Sequence, residues 1–308
     1  MDNIHLPFEL WAVILDLLDI KVQVRLIQLC KTIKNKIFIT DLCNIDNELK
    51  DKLNGDIIRK YPYIKKLNCN YKMGDRDLIG LNLVELNACH NEKIKKINHM
   101  TNLRILHARR SCGIGDDDLV GLNLVELYAS DNKKIKKINH MTNLKILNAS
   151  WNSGIDDESL IGLNLVELDA SWNPKIKNIN HMTNLRILGA CMNSGIGDED
   201  IVGLNLIELD AYANPKIEKI NHMTNLRILN ASDNSGIEDD DLIGLNLVEL
   251  YARDNSKIKK INHMTNLGKL DASGNCGIED EDLVGLNLVE LHACMNPKIK
   301  IKHYLNLQ

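Results

Sequence analysis

The sequence predicts an α/β solenoid. Short parallel strands stack rung on rung into one curved sheet, brief helical or 3-10 turns cross the convex side, and a small all-α module precedes the first rung. Three observations carry this. The string Gly-Leu-Asn-Leu starts at Gly80, Gly121, Gly162, Gly203, Gly244 and Gly285, every step being 41 residues. Each such unit holds two shorter ones, whose first leucines fall at 83, 103, 124, 144, 165, 185, 206, 226, 247, 267 and 288, in steps of 20 and 21. The first sixty residues repeat nothing and place apolar residues at helical spacing. A fixed period of this length marks units that cannot bury their own apolar side and must share a core with their neighbours.

Composition sets bounds on function. The 308 residues are 44% hydrophobic and 26% charged, with a formal net charge of −4. That balance gives no electrostatic footprint for nucleic acid or an anionic membrane. No apolar run approaches the roughly 18 residues of a membrane span, and Met1-Asp2-Asn3-Ile4-His5 lacks the basic start of a secretory signal. Eight cysteines, none paired at zinc-knuckle spacing, are expected to be reduced thiols in the cytoplasm or nucleus.

Within a unit, one rung reads Leu165-x-x-Leu168-x-Ala170-x-x-Asn173 and the next Leu185-x-x-Leu188-x-Ala190-x-x-Asn193. Strand side chains alternate, so Leu168 and Ala170 point inward while Glu167, Asp169 and Ser171 point out. Ile64-x-x-Leu67-x-Cys69 adds a degenerate front rung, making twelve. This pattern, over about residues 61 to 300, resembles the leucine-rich repeat, with alanine where a third leucine is usual. The resemblance implies that the asparagines form a ladder satisfying turn backbone groups, broken early at Lys72 and Ser111. Asp116, Asp157, Asp198, Asp239 and Asp280 are expected to N-cap the short helical turns. Their Ile-x-Asp-x-x-Leu step resembles repeats of F-box proteins. The Pro174–Met182 return is expected to be extended or 3-10.

Repeats of one chain can be compared with each other. Variation concentrates on the outward face, which points to a face with an individual task. Six of the twelve aromatics lie there: Tyr71, Tyr128, Trp151, Trp172, Tyr212 and Tyr251. Tyrosine and tryptophan are favoured interface anchors. Trp151 and Trp172 share one position on adjacent rungs, so at about 4.8 Å strand spacing their indoles should touch. Met192 follows on the next rung, and Arg109, Arg110 and Arg253 would tune the charge. Unconstrained drift is the bland alternative. A row of glutamates (85, 126, 167, 208, 249, 290) could pair with Arg104, Lys145, Arg186 and Arg227 on neighbouring rungs.

Chemistry finds no footing. The five His-Met-Thr-Asn-Leu histidines recur every second rung, roughly 10 Å apart, too far for one metal. The acidic turns lack the alternating oxygen ligands of a calcium loop. No nucleophile–base pair or phosphate-cradling glycine loop stands out. The expectation is no enzyme, no metal and no cofactor.

Residues 1–60 read as helices at Leu6–Leu18, at Val22–Ile37 and between Asp41 and Lys60. Leu6-Pro7-Phe8-Glu9-Leu10, Ile14-x-x-x-Leu18 and Arg25-Leu26-x-x-Leu29-Cys30-Lys31 resemble an F-box over about residues 5 to 40. The pattern is degenerate: Thr32-Ile33 stands where that family often has a basic-aromatic pair. By this resemblance Leu6, Pro7, Glu9, Leu10 and Ile14 would meet a Skp1-like adaptor of a cullin ubiquitin ligase. The solenoid, residues 61–308, would then choose the substrate protein with Trp151, Trp172, Met192, Tyr128, Tyr212 and Tyr251. A stand-alone scaffold whose first helices only cap the solenoid is the alternative. The near-identical units and the heavy use of Asn, Ile and Lys resemble F-box and repeat proteins of large DNA viruses of amoebae. The last residues imitate the start of another rung, which would leave the final core layer partly exposed.

Overall fold

The computed structural model describes Leu18, Lys21, Val22, residues 39–45 and residues 47–300. The positions expected to meet an adaptor, Leu6, Pro7, Glu9, Leu10 and Ile14, lie outside the described residues, as does the rung-like ending after 300. The chain divides into two compact units at Leu124/Val125.

In the first unit the strands are β1 (Asp41–Leu42), β2 (Lys66–Asn68), β3 (Glu85–Asn87) and β4 (Ile105–His107). They pair in parallel in chain order, Leu67 facing Leu86 and Leu86 facing Leu106. Strand β1 pairs Asp41 with Lys66, so the sheet begins ahead of the first rung legible as a repeat. Where one helical stretch was expected between Asp41 and Lys60, β1 is followed by two short helices, α1 (Asn47–Lys52) and α2 (Gly55–Ile58). Two further turns, α3 (Asp75–Leu78) and α4 (Asp116–Leu119), follow β2 and β4.

The second unit holds β5 (Glu126–Tyr128), β6 (Ile146–Asn148), β7 (Glu167–Asp169), β8 (Ile187–Gly189), β9 (Glu208–Asp210), β10 (Ile228–Asn230), β11 (Glu249–Tyr251), β12 (Lys269–Asp271) and β13 (Glu290–His292). Every neighbouring pair is parallel and unshifted, so leucine lies beside leucine from Leu127 to Leu291. Every second connection carries a short turn: α5 (Asp157–Leu160), α6 (Asp198–Ile201), then 3-10 turns at Asp239–Leu242 and Asp280–Leu283. The core is the inward series of each rung. Leu165, Leu168, Ala170, Ile176, Ile179 and Met182 are all fully buried. The stretch from Pro174 to Met182 forms turns with no regular helix or strand.

One expectation about the turns is corrected by one residue. The short helices start at Asp116, Asp157 and Asp198, and the N-caps are the preceding Gly115, Asp156 and Gly197. The aspartates reach the next rung instead. Asp157 Oδ1 accepts the backbone N–H of Lys177 (2.7 Å) and Asn178 (3.0 Å), and Asp198 does the same for Glu218 and Lys219.

In the second unit the asparagine ladder runs through alternate rungs. Asn173 is fully buried and donates to Ala149 O (2.8 Å) and Ile155 O (3.0 Å) of the preceding rung. Asn193, its apparent counterpart, is exposed, and Ser194 is buried in its place. The turn explains this. Asn173 N–H closes on Ala170 O, whereas Ser194 N–H closes on Cys191 O, one residue later. At the front it occupies consecutive rungs: Asn70 donates to Lys50 O and Leu53 O, doing the work that Lys72 cannot, and Asn91 donates to Asn70 O and Met73 O.

Candidate interaction face

Beyond the inward leucine, each strand of the second unit sends two side chains to the open face of the sheet. The first row runs Glu126, Ile146, Glu167, Ile187, Glu208, Ile228, Glu249, Lys269 and Glu290 in register. The second runs Tyr128, Asn148, Asp169, Gly189, Asp210, Asn230, Tyr251, Asp271 and His292. Carboxylates hold five of the nine places in the first row and three of the nine in the second. The basic residues expected to offset them turn elsewhere: Arg186 donates to Thr183 O and Leu185 O of its own turn, and Arg104 and Arg227 repeat this. Glu290 is the exception, with Lys269 at 3.2 Å. Burial, then the like charges of Asp210, Glu167 and Glu249, push the Glu208 carboxyl above its ordinary range.

After the second row comes the inward alanine, then one side chain, then a residue with a left-handed backbone. Asp131, Trp151, Trp172, Met192, Ala213, Asp233, Asp254 and Met295 all have φ between +49° and +61° there, and Gly274 has +67°. The slot is imposed by the ladder. Trp151 N–H donates to Ser171 O (2.7 Å), Trp172 to Cys191 O (3.1 Å) and Met192 to Tyr212 O (2.8 Å), so pairing outlasts the strand while the chain turns. Aspartate and glycine tolerate this conformation, and a bulky side chain there is an outlier. Gly274 and the aspartates in the slot were the available sequence signal for it.

Trp151 and Trp172 stack, with ring centroids 5.3 Å apart and planes 10° from parallel. Trp151 remains 53% exposed and Trp172 39%. The other aromatics are placed differently. Tyr128 and Tyr251 lean along their strands to Glu126 (3.0 Å) and Glu249 (2.7 Å). Lys269 Nζ sits 5.6 Å from the Tyr251 ring centre. Tyr212 is half-buried, and a hydrogen bond to Asp233 pushes its hydroxyl upward. Exposed Arg253 pairs with the adjacent Asp254 at 3.3 Å. Arg109, Arg110 and Tyr71 belong to the first unit.

Among the described residues no group of three or more His, Cys, Asp or Glu is placed to hold a metal ion. The repeated histidines lie on the turns, His222 Nε2 being 3.3 Å from Ile201 O and His263 Nε2 3.2 Å from Leu242 O. Burial pushes the Cys191 thiol up to about 12 and the Cys276 thiol to about 11, which removes thiolate reactivity at neutral pH. No helix among the described residues is long and apolar enough to cross a membrane.

No protein family and no curated protein matches the chain. Among solved structures it is similar to the functional domain of InlJ from Listeria monocytogenes, at 20% identity and a TM-score of 0.45, over 70% of this chain and 55% of that one. It is also similar to TLR13 in a complex with ssRNA13, at 18% identity and a TM-score of 0.33, over 80% of this chain and 53% of that one. The chain thus spans just over half the length of each of these two.

Proposed function

We propose that this chain is a protein-binding scaffold that takes its partner on the open sheet face of the second unit. One observation carries the reading. Two stacked tryptophans remain substantially exposed on neighbouring rungs, in a backbone slot that disfavours them. An indole in that slot gains little for the fold by facing water, while exposed aromatic pairs are the usual anchors of interfaces. Tyr128, Tyr212, Tyr251 and Met192 would extend the contact, and Arg253 would tune its edge. Arg109 and Arg110 are proposed as charge-tuning positions of the first unit.

The finer proposal is that residues 1–60 tether a Skp1-type adaptor of a cullin ubiquitin ligase through Leu6, Pro7, Glu9, Leu10 and Ile14, in the cytoplasm or nucleus (of a host cell if the protein is viral), with residues 61–308 selecting the substrate. It rests on the F-box-like motif alone. Purified full-length protein should bind Skp1 saturably, and a Leu6→Asp/Pro7→Ala variant should lose that binding. Absence of binding by the folded wild type would leave the stand-alone scaffold as the answer. That second reading has support from β1 and from Asn70, which tie the segment ahead of the first rung into the sheet as a cap would.

A further inference from the structure

We infer that the partner segment docked on the second unit is an extended basic chain, with arginine at about every third residue. The inference rests on the reading that this face binds a partner, and the chemistry around the stacked indoles supplies the rest. One end of the stack is bordered by Asp131, which occupies the left-handed slot one rung before Trp151. A planar guanidinium can lie on an indole face while pairing with a carboxylate beside it, which an ammonium does less well. A basic group at Trp151 therefore finds both ring and charge.

Spacing extends the argument beyond one residue. Glu167 and Glu208 both lie opposite Ile187, one on each side, so their strands are two apart, about 9.6 Å at strand spacing. Three residues of an extended chain span about 10 Å. A segment crossing the strands thus presents every third side chain to successive glutamates, with the intervening isoleucines under its remaining residues. Against a net charge of −4 for the whole chain, the two rows of this face set Glu126, Glu167, Glu208, Glu249, Asp169 and Asp210 with no lysine or arginine between β5 and β11, a local excess of negative charge. An anionic partner would meet these like charges, and a neutral one would bury carboxylates without a counter-charge.

The test uses full-length protein and a fluorescein-labelled dodecapeptide, (Arg-Gly-Ser) repeated four times, beside the same peptide with glutamate for arginine. Three proteins are titrated: wild type, Glu167→Gln/Glu208→Gln, and Trp151→Asn/Trp172→Asn. Asparagine suits the left-handed slot, so the last variant keeps both backbone and net charge. Wild type should bind the arginine peptide saturably and the glutamate peptide not at all, and each variant should weaken binding at least fivefold. Equal binding by the tryptophan variant would reduce the effect to bulk attraction and overturn the inference. A random dodecapeptide library panned on wild type and the tryptophan variant separates this from the broader reading. Peptides retained only by wild type but not enriched in basic residues would sink the cationic partner and leave the docking face standing. Failure to retain any peptide, with no arginine-peptide binding, would defeat both.

Discussion

Trp172 sits in a left-handed backbone slot that glycine and aspartate tolerate best; Asp131, Asp233, Asp254 and Gly274 occupy the same slot on other rungs, as do Trp151, Met192, Ala213 and Met295. Left-handed backbone costs a side chain of this kind about 1–2 kcal/mol, and an indole left 39% exposed recovers only part of that by burial. Replacement of Trp172 by asparagine should therefore leave stability within about 1 kcal/mol of wild type in urea unfolding. Leu168→Ala, at a fully buried site, should cost about 3 kcal/mol. A Trp172 variant as damaging as Leu168→Ala would make the indole structural and remove the reason for assigning it to an interface. Gly195 gives the opposite case. A methyl group there would meet Ile176 O and come within 2.7 Å of Pro174 O, because Gly195 N–H is drawn against Asn173 O. Gly195→Ala should cost about 2–3 kcal/mol in the same measurement.

The short acidic turns hold their own first turn and the following rung with different side chains. Asp200 closes the turn on itself by accepting Gly197 N–H at 2.8 Å. Asp198 takes the N–H groups of Glu218 and Lys219, at 2.7 and 2.9 Å, and so joins consecutive rungs. Asp198→Ala should cost about 1 kcal/mol, with faster amide exchange at 218 and 219 and not within 198–201. Exchange rising inside the turn instead would return Asp198 to the role of cap. This is also where sequence and structure part company. Strand positions from β2 onward, inward leucines and the touching indoles are legible, because period and alternation determine them; β1, which lies ahead of the repeats, is not. The cap position, Asn193 and the left-handed slot are not. Each depends on where a turn closes by one residue, as with Ala170 and Cys191, and residue identity at the nominal position is the same in either case.

Across the second unit, charge is the property no single rung reveals. The glutamate row is visible in the sequence, but that the neighbouring arginines do not neutralise it is not, since Arg186 and Arg227 sit beside it in sequence and spend their guanidinium groups on turn carbonyls. Glu208 titrates above its ordinary range. A carboxyl raised on folding contributes stability that is present below the unfolded value and lost as pH rises through the folded one. Glu208→Gln should accordingly be more stable than wild type at pH 7, by about 0.5 kcal/mol given solvent screening. It should have no advantage near pH 3, as thermal melts at the two values would report. The alternation of Asn173-type and Ser194-type turns carries a different implication, for ancestry. Across the second unit the two types alternate, Asn132, Ser153, Asn173, Ser194, Asn214, Ser235 and Asn255 being buried in turn, so one 41-residue pair is the smallest piece that extends the pattern unchanged. Lengthening by unequal recombination in 41-residue steps would preserve that pattern. Each step would move the tryptophan pair about 9.6 Å relative to one end while leaving the surface chemistry in phase, so reach could change between descendants without any change in what is grasped.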